Sequence, residues 1–305
     1  MMRLLTRSDF DGLACGALLK HLGVIDRWKF VHPKDMQDGL IEVTDQDVLA
    51  NVPYVEGCAL WFDHHTSEGE RLDNLKNIPG ASRLEDSAAR IVYEYYDGRE
   101  RIPQLEDMVK AVDKVDSAKL NVDEILNPTD WVLLGFIMDP RTGLGRFQDF
   151  RISNYELMDK LMDFCATKSI GEILADQDVN ERVELYFQQD ALFRKMLDAH
   201  TRIEDNVIIT DLRGVSPIYT GNRFLIYSLH PKQNISVWIT DGRAKQNCAI
   251  AIGHSIINRT SGTDVGGLAL KYGGGGHRQV GTCQVPYGAA DKAIVEILEQ
   301  IKADG

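Results

Sequence analysis

The spacing of apolar and polar positions follows two regimes along the chain, with the change near residue 202. In the first regime, short apolar runs are separated by longer segments with helical spacing. Residues 2–6 (Met2-Arg3-Leu4-Leu5-Thr6), 46–52 and 58–63 predict short buried strands. Residues 12–22 predict a helix with Leu13, Ala17, Leu18 and His21 on one side, and 83–96 and 105–116 predict two further amphipathic helices. Strands without polar alternation, with helices between them, predict a parallel sheet covered on both faces. Longer helices are expected over 154–166 and 180–200, the second heavily charged and suited to bridging two domains.

In the second regime, the segments 207–209, 224–227, 235–239 and 248–252 are β-rich and separated by Gly, Pro and Asn turns. Helices over 265–272 and 289–301 complete the pattern. The expectation is an α/β protein with an N-terminal parallel-sheet domain over 1–178, a helical linker over 179–202 and a smaller α/β domain over 203–305. A length of 305 residues suits two domains. The sequence carries no internal repeat and no low-complexity tract.

Composition narrows the function. Hydrophobic content of 44% and charged content of 26% are those of a soluble globular protein, and no apolar run approaches the ~20 residues that span a bilayer. The five cysteines (Cys15, Cys58, Cys165, Cys248, Cys283) are scattered, which points to a reducing cytoplasm and away from cysteine-bound zinc. A net charge of −12 disfavours long duplex nucleic acid, so a polyanionic substrate needs a local positive cleft or metal ions. Oligomeric state, self-association included, is left open.

Chemistry concentrates at strand ends. Trp61-Phe62-Asp63-His64-His65 runs an apolar strand into one carboxylate and two imidazoles, and Asp9 and Asp11 follow the first strand. Such groups at the carboxyl edge of a parallel sheet face its ligand crevice and suit Mg²⁺ or Mn²⁺. Consecutive histidines point apart on an extended backbone, so one can ligate metal while Asp63 orients an imidazole through its second nitrogen. The bland readings are that Asp11 only caps the following helix and that the histidines sit in a solvated turn. Asp116 falls within the apolar stripe of Leu105, Met108, Val109 and Val112, where a carboxylate needs a charged partner, whereas Asp113 falls toward its edge; a frayed helix end is the alternative for Asp116. Gly273-Gly274-Gly275-Gly276-His277 exceeds what a helix cap requires and suits an anion-binding nest, with Arg259 upstream.

Taken together, Ser8-Asp9-Phe10-Asp11-Gly12, Phe62-Asp63-His64-His65, Asp116 and Gly273–His277 resemble the DHH phosphoesterase superfamily with its C-terminal DHH-associated domain, in order over the whole chain, and most of all its exopolyphosphatase-like group. The resemblance implies one or two Mn²⁺ or Mg²⁺ ions in the N-terminal domain, held by Asp9, Asp11, His64 and Asp116, with Asp63 supporting the site and His65 facing the scissile phosphate. It also implies substrate binding by Gly274, Gly275, Gly276, His277 and Arg259 across a cleft that closes on the substrate. The chain departs from the family pattern in two places. Leu5 and Arg7 stand where many members place a histidine or aspartate, and Asn51 stands where a strand-ending aspartate bridges two metals. Either Asp45 or Asp47 replaces that aspartate through another register, or one metal site is weakened, and Arg7 is then free to meet the phosphate.

The expected activity is divalent-metal-dependent hydrolysis of a phosphoester or phosphoanhydride in short substrates, either short oligonucleotides or linear polyphosphate. The competing class is a non-catalytic phosphate-ligand or nucleic-acid binding protein with a degenerate metal site. A base-stacking platform is not assignable from sequence; Tyr272 and Tyr287 are candidates. The segment from Trp131 to Tyr155, with Arg141 and Arg146, has no assigned role.

Overall fold

The computed structural model describes residues 1–65, 78–139, 145, 147–242 and 245–305. The chain divides into two compact units, one of Met1–Lys119 with Pro128–Leu185 and one of Leu120–Asn127 with Tyr186–Gly305.

The first unit is built on strands β1 (Met2–Thr6), β2 (Ile25–Phe30), β3 (Asp47–Ala50), β4 (Leu60–Asp63) and β5 (Gly80–Ser82). They pair in parallel in the order β2-β1-β3-β4-β5. Leu5, Leu49 and Trp61 from the three central strands share a buried cluster with Val31, Met36 and Val52, which is why these runs lack polar alternation. The strand order reverses direction between β1 and β3, and open sheets bind ligands at the carboxyl ends beside such a reversal. Register aligns those ends: Thr6 lies opposite Ala50, and Ala50 opposite Phe62. The residues just beyond, 7–11, 51 and 63–65, therefore emerge along one edge.

The second unit contains β6 (Thr201–Glu204), β7 (Val207–Asp211), β8 (Ile235–Asp241), β9 (Asn247–His254), β10 (Gly275–His277) and β11 (Val280–Pro286). Their order is β10-β11-β9-β8-β7-β6, antiparallel except for the parallel pair β7 and β8. One face is sealed by the helices Val265–Leu270 and Ala290–Asp304, whose Leu268, Ile294, Ile297 and Ile301 join Val237, Ile250 and Ile252 in one core.

Three further segments are helical. Gln177–His200 is one helix, and the boundary between units falls inside it. Its first half is anchored in the first unit, where Arg182 donates to Asn154 Oδ1 and to the Ile152 carbonyl. Its second half belongs to the other unit, where the Phe193 ring stacks on Trp238 at 6.3 Å between centroids. Residues 224–227 are not a strand; Leu225–Leu229 is a short helix behind an Asn222 turn that accepts from Phe224 N–H at 2.9 Å. Four apolar residues in a row fit either element, and here the Asn222 turn leads into a helix. Within 131–155, Asp130–Met138 is a helix, while Arg141 and Arg146 lie outside the described residues.

Candidate metal centre

The site begins where β1 stops. Asp9, rather than Asp11, caps the helix Phe10–His21, its side chain accepting from Gly12 N–H at 3.0 Å. The same Oδ1 accepts from Asn51 Nδ2 at 3.0 Å, and Oδ2 lies 3.2 Å from Arg7 Nε. Gly12 is required by contact: a Cβ there would stand 2.1 Å from the Arg7 carbonyl oxygen. That close approach holds the first helical turn against the strand exit and points Asp11 inward.

Asp11 is 2% exposed. Its oxygens accept from Ala88 N–H at 2.9 Å and Ala89 N–H at 2.8 Å, the opening amides of the helix Ala88–Tyr95. Two such bonds favour the ionised form. Burial opposes them, and with the nearby charges of Asp116 and Asp9 it holds the Asp11 carboxyl well above the usual carboxylate range. A buried carboxylate under this pressure calls for a cation.

His64 supplies the decisive atom. Its Nδ1 lies 3.2 Å from the Glu85 carbonyl oxygen, which can only accept, so Nδ1 carries a proton and in the neutral ring Nε2 carries the lone pair. Nε2 is buried and has no hydrogen-bond partner. It faces Asp116 Oδ2 at 3.3 Å and Asp11 Oδ2 at 3.7 Å. One lone pair and two carboxylates converging within 4.8 Å repel one another in the absence of a cation. The two carboxylates alone cost on the order of 3 kcal/mol at an effective dielectric of about 20. A divalent ion turns each of those repulsions into a bond, so the donor set fits one. Among the described residues, Asp11, His64 and Asp116 are the set that converges in this way.

Neighbouring groups fix this geometry. The His65 ring lies 4.3 Å from that of His64 between centroids, and its Nδ1 donates to Asp63 Oδ1 at 2.9 Å. The bond to Asp63, opposed by partial burial, raises the His65 pKa. Asp116 ends the helix Glu106–Asp116, and three residues earlier Asp113 accepts from Ser87 Oγ at 2.7 Å and from Arg90 at 2.6 and 2.9 Å. Ser87 caps the helix whose amides hold Asp11, so Asp113 ties the Asp116 helix to the Asp11 anchor.

Asp9, Asp11 and Asp116 line a small pocket with Phe10, Val112, Val115, Gly135 and Asp139. Sequence reasoning gave Asp139 no role, although an acidic residue ending the apolar helix 130–138 was a usable signal. Gly135 admits the Phe10 ring, which a Cβ would meet at 2.8 Å. The roles of the Ala88 and Ala89 amides and the Glu85 carbonyl leave no trace in side-chain identity.

In the second unit the glycine run is mostly explained by packing. Gly273 has φ +75° and ends a helix. A Cβ on Gly274 would meet Thr282 O at 2.0 Å, and one on Gly276 (φ +156°) would meet Val280 O at 2.2 Å, because β10 lies against β11. Gly275 differs: a Cβ there meets nothing within 4 Å. His277 ends β10 exposed, and Arg259 Nε donates to the Ile256 carbonyl at 3.1 Å. Tyr272 and Tyr287 are tied by their hydroxyls to Glu296 and Asp241.

No family model and no curated protein matches the chain. Among solved structures, the pGpG-specific phosphodiesterase PggH from Vibrio cholerae is 46% identical, matches over 100% of both chains and superposes with a TM-score of 0.91. The chain belongs to the DHH family of phosphoesterases. The DHH domain of a protein described as a member of the S1p family of ribosomal proteins shares the fold at 13% identity (98% of this chain, 86% of that one, TM-score 0.53). RecJ from Thermus thermophilus, in complex with Mg²⁺, does so at 15% (99% of this chain, 49% of that one, TM-score 0.50).

As a DHH phosphoesterase the chain is an enzyme acting on phosphoesters. Its departures from the family pattern now have positions. Asp47 cannot replace the strand-ending aspartate, because it begins β3 at the opposite edge of the sheet, where Arg3 binds it at 2.7 and 2.9 Å. Asp45, two residues earlier, precedes the strand altogether. Asn51 does follow the strand, buried, with φ +56°.

Proposed function

We propose that the protein hydrolyses the internal phosphodiester of a short 5′-phosphorylated dinucleotide of the pGpG kind, with Mn²⁺ as its working ion, in the cytoplasm. The observation that carries the metal-dependent reading is the unpaired His64 Nε2 set against two carboxylates. Full-length similarity at 46% to a pGpG-specific enzyme supports the substrate class. A mixed imidazole and carboxylate set favours Mn²⁺ over Mg²⁺, which prefers oxygen alone. Five free cysteines support a reducing compartment. Among the described residues no helix is long and apolar enough to cross a membrane.

Asp11, His64 and Asp116 hold the ion, with Asp9 alongside. When bound, the ion lowers the pKa of water and draws charge from a phosphoryl oxygen. Asp63 holds His65 so that its raised pKa keeps a proton available for a phosphate oxygen or the departing ribose oxygen. Arg7 offers a second positive group. In the other unit, Gly274, Gly275, Gly276, His277 and Arg259 bind a further phosphate, with open space at the Gly275 Cβ position for close approach. The test is turnover of pGpG, a longer oligoribonucleotide and linear polyphosphate by chelator-stripped protein with Mn²⁺ restored. Release of GMP from pGpG, lost by about 10³-fold or more in His64→Ala, is expected. Folded, Mn²⁺-loaded protein that cleaves none of the three would end this reading.

A further inference from the structure

Asp9 lines the same small pocket as Asp11 and Asp116, yet its own oxygens meet donors from the chain. Gly12 N–H and Asn51 Nδ2 reach Oδ1, both at 3.0 Å, and Arg7 Nε stands 3.2 Å from Oδ2. The Asn51 amide turns its positive edge toward the carboxylate, where a shared cation would need a negative group. Its remaining Oδ1 is buried and unpaired, but a single neutral oxygen balances no charge and at most adds one ligand to an ion already held. Arg7 is 41% exposed, so its guanidinium keeps contact with solvent while one edge is anchored on Asp9. A fork of this kind grips one carboxylate and still presents N–H groups to a phosphate.

We infer that the centre takes a single divalent ion, on Asp11, His64 and Asp116, and that Arg7, anchored on Asp9, which Asn51 holds in turn, provides in place of a second ion the positive charge that meets the reacting phosphate. This rests on the phosphoesterase reading of the same site.

Chelator-stripped full-length protein titrated with Mn²⁺, followed by calorimetry and by the spin-resonance signal of free Mn²⁺, is expected to bind one ion per chain, and His64→Ala none. Two ions on the wild-type chain would overturn the inference and leave the phosphoesterase reading standing. No ion, or binding indifferent to His64→Ala, would sink both. Arg7→Ala should still bind one ion within about threefold of the wild-type affinity while losing about 10²-fold in turnover at saturating Mn²⁺. Arg7→Lys should recover part of that loss. Wild-type turnover in Arg7→Ala would also overturn the inference.

Discussion

At position 116 a carboxylate ends a helix whose other inward positions are apolar, and its oxygen lies 3.3 Å from the His64 lone pair. Asp116→Asn keeps the shape and removes one of the charges that push up the Asp11 carboxyl. In chelator the variant should melt about 1–3 °C higher than the wild type. With Mn²⁺ at about 100 times its dissociation constant the wild type should gain about 2.7 kcal/mol, and the variant almost none. Thermal melts in the two buffers check both statements, and a lower melt in chelator would contradict the charge assignment. The sign for Asp11 agrees: with its folded pKa raised, the metal-free fold loses stability as pH climbs from the unfolded value, about 3.9, through the folded one. His65 runs the same way, in a higher pH window. Its bond to Asp63 stabilises fully below the unfolded value, about 6.5, and is lost as pH rises through the raised folded value. Asp63→Asn should move the His65 titration, read by NMR, and the alkaline limb of kcat/KM to lower pH together. Asp11 and His64 were legible as candidates because each follows an apolar strand that delivers it to the sheet edge, and Asp116 because it interrupts the apolar stripe of a helix. The Asn51 contact to Asp9 was not, since it depends on register between strands and joins residues 42 apart.

For elements, the glycine run separates two requirements that look identical in sequence. Gly274 and Gly276 sit where the β11 backbone leaves no room for a side chain, whereas Gly275 has open space at its Cβ. Gly274→Ala should lower the melting temperature by several degrees, as overpacking costs about 1–3 kcal/mol or more. Gly275→Ala should leave it unchanged within about 1 °C and raise KM about tenfold, a loss of about 1.4 kcal/mol of substrate binding. Melting curves and steady-state kinetics on the two variants decide this, and an unaltered KM in Gly275→Ala would remove the loop from the substrate site. Periodicity revealed β1, β3 and β4, whose burial leaves an unbroken apolar signature. It missed β2, most of whose side chains are not buried, and the three-residue β5. It failed also at 224–227, where a run of four apolar residues carries no period and the Asn222 turn leads into a helix.

For the whole molecule, the two α/β units were visible from the change of pattern near residue 202, but their membership was not. Leu120–Asn127 lies in sequence between two stretches of the first unit and yet belongs to the second. There its helix Val122–Leu126 packs on Leu225–Leu229, and the Leu126 carbonyl accepts from Arg194 at 3.1 Å. No local pattern announces partners that far along the chain. A fragment of residues 1–178 should therefore expose Leu120 and Ile125, both buried in the full chain, bind a hydrophobic dye and unfold without a sharp transition. Cooperative melting of that fragment without dye binding would show that the crossing segment is dispensable.

The crossing segment also has a consequence in time. A ribosome that has just made Ile125 must add about a hundred more residues before the partner helix exists, which at roughly 5–20 residues per second is on the order of 5–20 s. For that interval the nascent chain carries a sticky turn of helix with nowhere to dock, and Asn121 and Glu124, which cap it reciprocally, hold it in shape while it waits.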